Sequence, residues 1–445
     1  MSMSIVDSEV RGRVEFDLAE LHGAVVDPGM DSMRLLSETA MAFPDALSFS
    51  SGAPHDGNHD LSRLSVHLER YLRHLRETGV PERRIRRLLF QYGPVNGFIQ
   101  DEIARMLVRD EDIHVPAEAI MVTHGAQEAM LIALRGLCTS PGDVLLSVSP
   151  TYVGIVGAAK TLDIPVKAVH EGPHGLEPEA VRAAAREVRA EGGRPVACYL
   201  VPDFANPTGT RLSEQARREL LQVAAEEGLL LLEDNPYGLF AAEGDQLPTL
   251  KSLDDKGCVL YLGSFAKSAF PGARIGYLVA DQPVTEADGR VRPLAAVLSK
   301  VKSMISVGSS SIAQAVVGGI LVEHDYDLRS ATRELARTYL ERLAATTSSL
   351  TEHFPAQRYA EHGVRWNTPR GGFFLVLEVG FTADLAAMER CARDYGVSWA
   401  PMSMFHVDGG GDRAMRLGFS NLSTEDIREG ISRLARFITE TPRTA

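Results

Sequence analysis

Lys267 stands in Ser264-Phe265-Ala266-Lys267-Ser268, just after a short aliphatic run and ahead of Phe270-Pro271-Gly272-Ala273-Arg274-Ile275-Gly276-Tyr277. A lysine just past a strand lies at the carboxyl edge of a sheet, where open α/β sheets bind ligands. Its amine can bond covalently to a carbonyl compound or carry a proton between reacting atoms. Ser264 and Arg274 flank it at spacings that bring a hydroxyl and a guanidinium to one phosphate group, for which the arginine fork is suited. Upstream, Thr123-His124-Gly125-Ala126-Gln127-Glu128 runs from a strand end through glycine into a helix start. The free N–H groups of such a start form an anion site, which places a phosphate on Ala126 and Gln127. Glu128 carries the wrong charge for that neighbour and should point away.

Two further segments follow strands. Asp203-Phe204-Ala205-Asn206-Pro207-Thr208-Gly209 ends one, and Glu233-Asp234-Asn235-Pro236-Tyr237 follows the leucines at 229–232. Asp234 behind that run is partly buried, and a buried carboxylate needs a cation or a donor. A pyridinium nitrogen would satisfy it. Asn206 and Tyr237 can both donate to a phenolate oxygen on the same ring, and Tyr152, in Pro150-Thr151-Tyr152, can stack on the ring face. Each segment alone is an ordinary turn; their ordered recurrence at successive strand ends converges on one ligand.

The elements that position these residues are legible from the alternation of aliphatic runs, Gly/Pro/Asn turns and helical spacing between Ile120 and Val279. Strands are expected at 120–123, 144–148, 166–169, 196–201, 229–232, 259–262 and 275–279, with helices over 178–189 and, capped by Ser213, 213–227. Such βα units feed a mostly parallel sheet. Beyond Gly308 a long helical stretch through Leu350, a strand over 372–379 and a helix over 424–438 predict a smaller α+β domain. The 445 residues are ample for two packed domains, and 44% hydrophobic with 24% charged residues describes an ordinary globular chain. A net charge of −13 disfavours nucleic acid and anionic membranes as partners. Four dispersed cysteines fit a reducing cytoplasm, no spacing calls for a metal, and no apolar run approaches the ~20 residues of a membrane span.

With these motifs in place, the chain resembles the fold-type I pyridoxal 5′-phosphate (PLP) enzymes of the class I/II aminotransferase family, the aspartate aminotransferase-like superfamily, and within it the kynurenine and aminoadipate aminotransferase branch. The resemblance spans Ser48 to Ser420. It implies an α/β fold with a large PLP-binding domain over 61–307, a small domain over 308–445, and an N-terminal arm, partly small domain, over 1–60. It implies that Lys267 carries PLP as a Schiff base, that Asp234 pairs with the ring nitrogen, and that Tyr152 stacks. Asn206 and Tyr237 would then bind the ring oxygen, while Ala126, Gln127, Ser264 and Arg274 hold the phosphate. Arg416, in Met415-Arg416-Leu417-Gly418, resembles the family arginine that binds the substrate α-carboxylate, with Asn206 and Gly52 beside it. Tyr92, in Gln91-Tyr92-Gly93-Pro94, resembles a tyrosine that reaches the phosphate of the other subunit, which implies a homodimer with composite sites. The activity implied is exchange of an amino group between an amino acid and a 2-oxo acid.

Three departures bear on that activity: Ala266 where Ser or Thr is common, Asp203 on the approach to Asn206, and Pro401-Met402-Ser403 without the usual glycine. The same cofactor chemistry also serves β/γ-elimination, replacement or ring formation in specialised biosynthesis, including on S-adenosylmethionine or an anionic substrate, which is the alternative enzyme reading. A ligand-sensing DNA-binding regulator built on this domain is disfavoured by the acidic balance and by the short stretch ahead of the matched region. Finally, Leu61, Leu64, Leu68, Leu72 and Leu75 recur at helical spacing and are expected in the core. Arg63, Arg70, Arg73, Arg76, Arg83, Arg84, Arg86 and Arg87 are expected on a solvated face, or as a lure for an anionic substrate.

Overall fold

The computed structural model describes residues 16–443, apart from 56, 58, 59, 173, 174 and 356–360 and the side chains of 33, 36, 37, 39 and 40. Its centre is a seven-stranded sheet. In chain order the strands are β1 (Ile120–Thr123), β2 (Asp143–Ser149), β3 (Val166–His170), β4 (Arg194–Leu200), β5 (Leu230–Asp234), β6 (Val259–Ser264) and β7 (Gly276–Val279), in the spatial order β1-β7-β6-β5-β4-β2-β3. The pairs from β3 through β6 are parallel, and β7 is antiparallel to both β1 and β6. The carboxyl ends of β1, β2, β4, β5 and β6 therefore share one edge. β4 and β5 are buried on both faces, which is why they read as continuous aliphatic runs rather than alternating ones. Asp234 is the last residue of β5, two positions beyond the expected end of that strand. β3 lies outside β2 while β4 returns on its other side, so the strand order reverses between β2 and β4, where open sheets leave a ligand crevice.

A second core gathers around the antiparallel strands β8 (Arg365–Trp366), β9 (Phe374–Glu378), β10 (Ala400–Pro401) and β11 (Ala414–Gly418), ordered β8-β9-β11-β10, and the helices Arg333–His353, Leu385–Tyr395 and Thr424–Glu440. Phe49 is wholly buried in it, because Leu47–Ser48 pairs in parallel with Val397–Ser398. The polypeptide before that point turns the other way: Lys160 on the central body forms an ion pair with Asp27.

The core expectation for Leu61 and Leu64 needs correction. Leu61 and Leu64 are 86% and 41% exposed. The helix begins only at Arg63 (α1, Arg63–Glu77), and its inward face is set by Tyr71 and Leu75, with Leu68 and Leu72 alongside. Beyond Gly308 the chain first returns to the central body. Helix α2 (Ser311–Glu323) packs on α1 within the central body, and a side chain at Gly319 would strike the His67 carbonyl oxygen, one at Gly318 the Tyr71 ring. The helical stretch from 308 to 350 is broken at Asp325 and Tyr326, both with positive φ; a short helix, Leu328–Ala331, follows before the long one from Arg333. Among the described residues no helix is long and apolar enough to cross a membrane.

Replacing Phe49 by Ala should empty a site in a core otherwise built from residues 343–438. A loss of about 3–5 kcal/mol is expected in denaturant unfolding; a loss below about 1 kcal/mol would show that the N-terminal segment is not part of that core.

Candidate active site

The shared strand edge assembles the chemistry. Asp234, at the end of β5, is 4% exposed; its Oδ2 accepts a 2.6 Å hydrogen bond from Tyr199 Oη, and its Oδ1 has no partner. Burial pushes its pKa up to about 7, against the Tyr199 hydrogen bond and the nearby Lys267 charge. An acceptor left bare in this way is costly unless a donor or cation arrives. Lys267 follows β6 by three residues, and its Nζ donates to Gly52 O at 2.7 Å. Burial and the positive charges of Arg416 and Arg274 bring its pKa down to about 8, with Asp234 acting the other way.

The anion cradle depends on glycines. Helix α3 (Gly125–Leu137) opens at Gly125, φ 72°, directly after β1 and His124. A Cβ there would lie 2.6 Å from Arg274 Nη2, so the guanidinium rests against the bare backbone of the helix start. Arg274 holds that place in the left-handed region, φ 49°, a strained choice for a residue other than glycine. Gly276 brings β7 as close: its Cβ would meet Gly125 C at 2.7 Å and Ala126 N at 2.8 Å. Ser264 Oγ accepts from Ala266 N at 3.2 Å, so Ala266 serves through its backbone.

The opposite wall comes from the second core. Arg416 on β11 is 3% exposed, and its Nη1 donates to Asn206 Oδ1 at 2.8 Å while Nη2 donates to Ser50 O. Its Nε has no partner. The guanidinium lies 4.4 Å from the Phe374 ring centre and 4.7 Å from that of Phe405, a cation–π sandwich that fixes its plane. Burial brings its pKa down to about 10, against the pull of Tyr237 and Tyr152. Phe405 is delivered by the short helix Met402–Phe405, which follows Pro401 directly in place of a glycine turn. Tyr152 folds its ring over Gly154, where a side chain would collide at 2.3 Å.

Of the residues singled out in sequence, Gly52, Ala126, Gln127, Tyr152, Asn206, Asp234, Tyr237, Ser264, Lys267, Arg274 and Arg416 line one cavity of about 670 Å³. Tyr92 does not: it is 88% exposed and outside that cavity. Asp203 binds Arg211 and Arg217, both at 2.7 Å, and so secures the turn leading to Asn206. Glu128 does point away from the cavity, to Lys302 at 2.7 Å. Sequence reasoning missed Tyr199, Phe374, Phe405 and Lys302. Tyr199 was detectable as the one hydroxyl-bearing residue in the apolar run of β4, which is buried throughout from Pro195 to Leu200; the phenylalanines and Lys302 carry no local signal.

This donor set fits a phosphorylated pyridine aldehyde. The bare Asp234 Oδ1 suits a protonated ring nitrogen, Asn206 and Tyr237 a ring oxygen, the Gly125 cradle a phosphate, and the Lys267 amine the aldehyde. Arg416 can hold a carboxylate.

The chain matches the family model for aminotransferase class I and II over residues 44–434. It is 44% identical to the (S)-3,5-dihydroxyphenylglycine transaminase of Amycolatopsis orientalis, over 96% of this chain and 95% of that one. It is 30% identical to aromatic-amino-acid aminotransferase 1 of Thermococcus litoralis, over 79% and 80%. The solved α-aminoadipate aminotransferase of Thermus thermophilus, complexed with N-(5′-phosphopyridoxyl)-L-leucine, is 27% identical and superposes over 93% of this chain and 97% of its own, with a TM-score of 0.73. With the sheet, the lysine and the carboxylate arranged as above, the chain belongs to the class I and II aminotransferases and is a transaminase of the aspartate aminotransferase-like fold.

Proposed function

We propose that this transaminase holds PLP on Lys267 and that its amino-acid substrate carries an uncharged aromatic side chain close to Cα, as in an arylglycine or a phenylalanine-like acid. The observation that carries the cofactor assignment is the unpartnered Asp234 Oδ1 in the cavity that Lys267 also lines. When bound, PLP supplies an electron sink for the electrons of the substrate Cα–H bond. Asp234, ionised beside a cationic ring nitrogen, keeps the proton on that nitrogen. Lys267 Nζ would be the base that takes the substrate Cα proton and holds it for return, a contribution of about 10²–10⁴-fold. Arg416 binds the α-carboxylate through the N–H groups it can spare, with Asn206 fixing its orientation.

The substrate class rests on charge and on relatives. The cations lining the cavity are Lys267, Arg274 and Arg416, and all three are taken by the aldehyde, the phosphate and the α-carboxylate. A side-chain carboxylate finds no cation left among those lining residues, while Phe374, Phe405, Tyr152 and Tyr237 offer aromatic walls. The two relatives named above act on 3,5-dihydroxyphenylglycine and on aromatic amino acids. The protein works as a homodimer in this reading, with the exposed Tyr92 reaching the partner's phosphate, and in the cytoplasm, where its four buried free cysteines stay reduced. The large domain is read as running from α1 to about residue 332, and the small domain as residues 333–443 together with the segment around Phe49.

Borohydride reduction of the purified protein followed by peptide mapping should leave a 5′-phosphopyridoxyl group on Lys267, and Lys267→Ala should abolish both tag and turnover. A tag on another lysine would end the assignment. Rates of PLP uptake by the cofactor-free protein should rise with pH around 8, where the neutral amine becomes the major form, rather than near the ordinary lysine value of 10.5. A stopped-flow absorbance profile with no rise until pH 10 would contradict this. In single turnovers, arylglycine or phenylalanine-like donors should convert the cofactor on the order of 10²-fold more efficiently than aspartate or glutamate; equal efficiency would refute the substrate class.

A further inference from the structure

Glu128 and Lys302 take no part in the chemistry above, yet they meet at the helix start assigned to the phosphate. Glu128 Oε2 accepts the His124 N–H at 2.7 Å, a donor that precedes α3 and has no place in its hydrogen-bond ladder. The bond pins the turn in which Gly125 takes its positive φ. It also fixes a carboxylate at the pole of α3 that must attract a phosphate, so the same side chain that shapes the cradle opposes its ligand. Lys302 comes from a different element, helix α4 (Leu294–Ile305), and its side chain is fully buried. Its three N–H donors are matched by Glu128 Oε2 at 2.7 Å, Ser309 Oγ at 3.2 Å and Ser306 Oγ at 3.3 Å. Ser309 Oγ in turn donates to Val122 O on β1 at 3.1 Å, and the His124 ring is bonded to Gly308 O at 3.1 Å. Burial alone would raise the Glu128 pKa, but the bonds from Lys302 and His124 hold it below the usual glutamate range, so the carboxylate is charged.

We propose that Lys302 is a positioning residue that cancels the Glu128 charge at the α3 pole, which allows one turn to be shaped by a carboxylate and still hold the phosphate of PLP. This rests on the assignment of Ala126, Gln127 and Arg274 to the phosphate. The role is electrostatic, so it acts on the phosphorylated ligand and not on the aldehyde.

The test is a double-mutant cycle on the full-length, cofactor-stripped protein, with dissociation constants for PLP and for pyridoxal, which lacks the phosphate, read from the absorbance of the bound form. Lys302→Met keeps the volume and should weaken PLP roughly 10- to 100-fold, with pyridoxal shifted by less than about threefold. Glu128→Gln, which can still accept from His124, should bind PLP at least as tightly as the wild type. The double variant should return to within about threefold of the wild type. The proposal is overturned if pyridoxal and PLP weaken together, if the double variant stays as weak as Lys302→Met, or if Glu128→Gln weakens PLP as Lys302→Met does. Should Lys302→Met fail to fold, Glu128→Gln and the double variant decide: wild-type PLP affinity in both supports the proposal, and a loss beyond tenfold in either overturns it. A wild-type protein that binds no PLP would remove the phosphate assignment itself, whereas normal wild-type binding with a flat cycle removes only the role of Lys302.

Discussion

Three cations and one carboxylate share one cavity of about 670 Å³. Lys267, Arg274 and Arg416 face it with Asp234 as the only acid among its lining residues. Burial works against the charged form of each group it titrates here: it lowers Lys267 and Arg416 and raises Asp234. An excess of positive charge inside a protein of net charge −13 is unstable in isolation and is relieved by anions of the right shape. A phosphate and an α-carboxylate are two such anions, and a ring cation relieves Asp234. The depressed lysine and the elevated aspartate share one leading cause: burial penalises the charged form of each.

The fold holds this arrangement through backbone approach more than through side-chain bulk. Gly125, Gly154 and Gly276 each mark a place where a Cβ would occupy the space of Arg274, Tyr152 or the α3 start. The walls also come from separate parts of the chain. Asp234 and Lys267 hang from the central sheet, Arg416 from β11, and Ser50 and Gly52 from the irregular segment that follows Phe49. Lys267 bonded to Gly52 O, and Arg416 bonded to both Ser50 O and Asn206, stitch those parts together across the cavity. A relative movement of the two cores would act on the Lys267–Gly52 and Arg416–Asn206 bonds.

The seven strands and the residues at their carboxyl ends were legible in the sequence because buried parallel strands announce themselves as aliphatic runs and ligand sites follow them. Asp234 could be singled out by its place at a strand end before a turn, since Glu233 beside it is as buried but is met by the Leu250 and Lys251 N–H groups. What was not legible depends on distance along the chain. Leu61 looks like a core residue from its spacing, but the periodicity does not reveal that the helix starts after it. The core to which Ser311–Glu323 belongs is decided by Gly318 and Gly319 meeting a helix about 250 positions away, of which the local pattern says nothing. Phe374 and Phe405 appear as ordinary apolar residues until Arg416 lies between them.

Those two phenylalanines also explain how one arginine can serve selectively. A guanidinium in water is free to rotate, and freezing it on a carboxylate costs side-chain entropy. Here two ring faces and the Asn206 and Ser50 acceptors fix its plane before any substrate arrives, and the low local polarity strengthens the ion pair once formed. The same rings deny a polar environment to whatever extends beyond Cα. A side chain that can stack gains from those walls, while one bearing a charge loses its hydration and finds no counter-ion among the lining residues. In the proposed reading, discrimination between substrates arises from what surrounds the carboxylate clamp, with the clamp itself common to all of them.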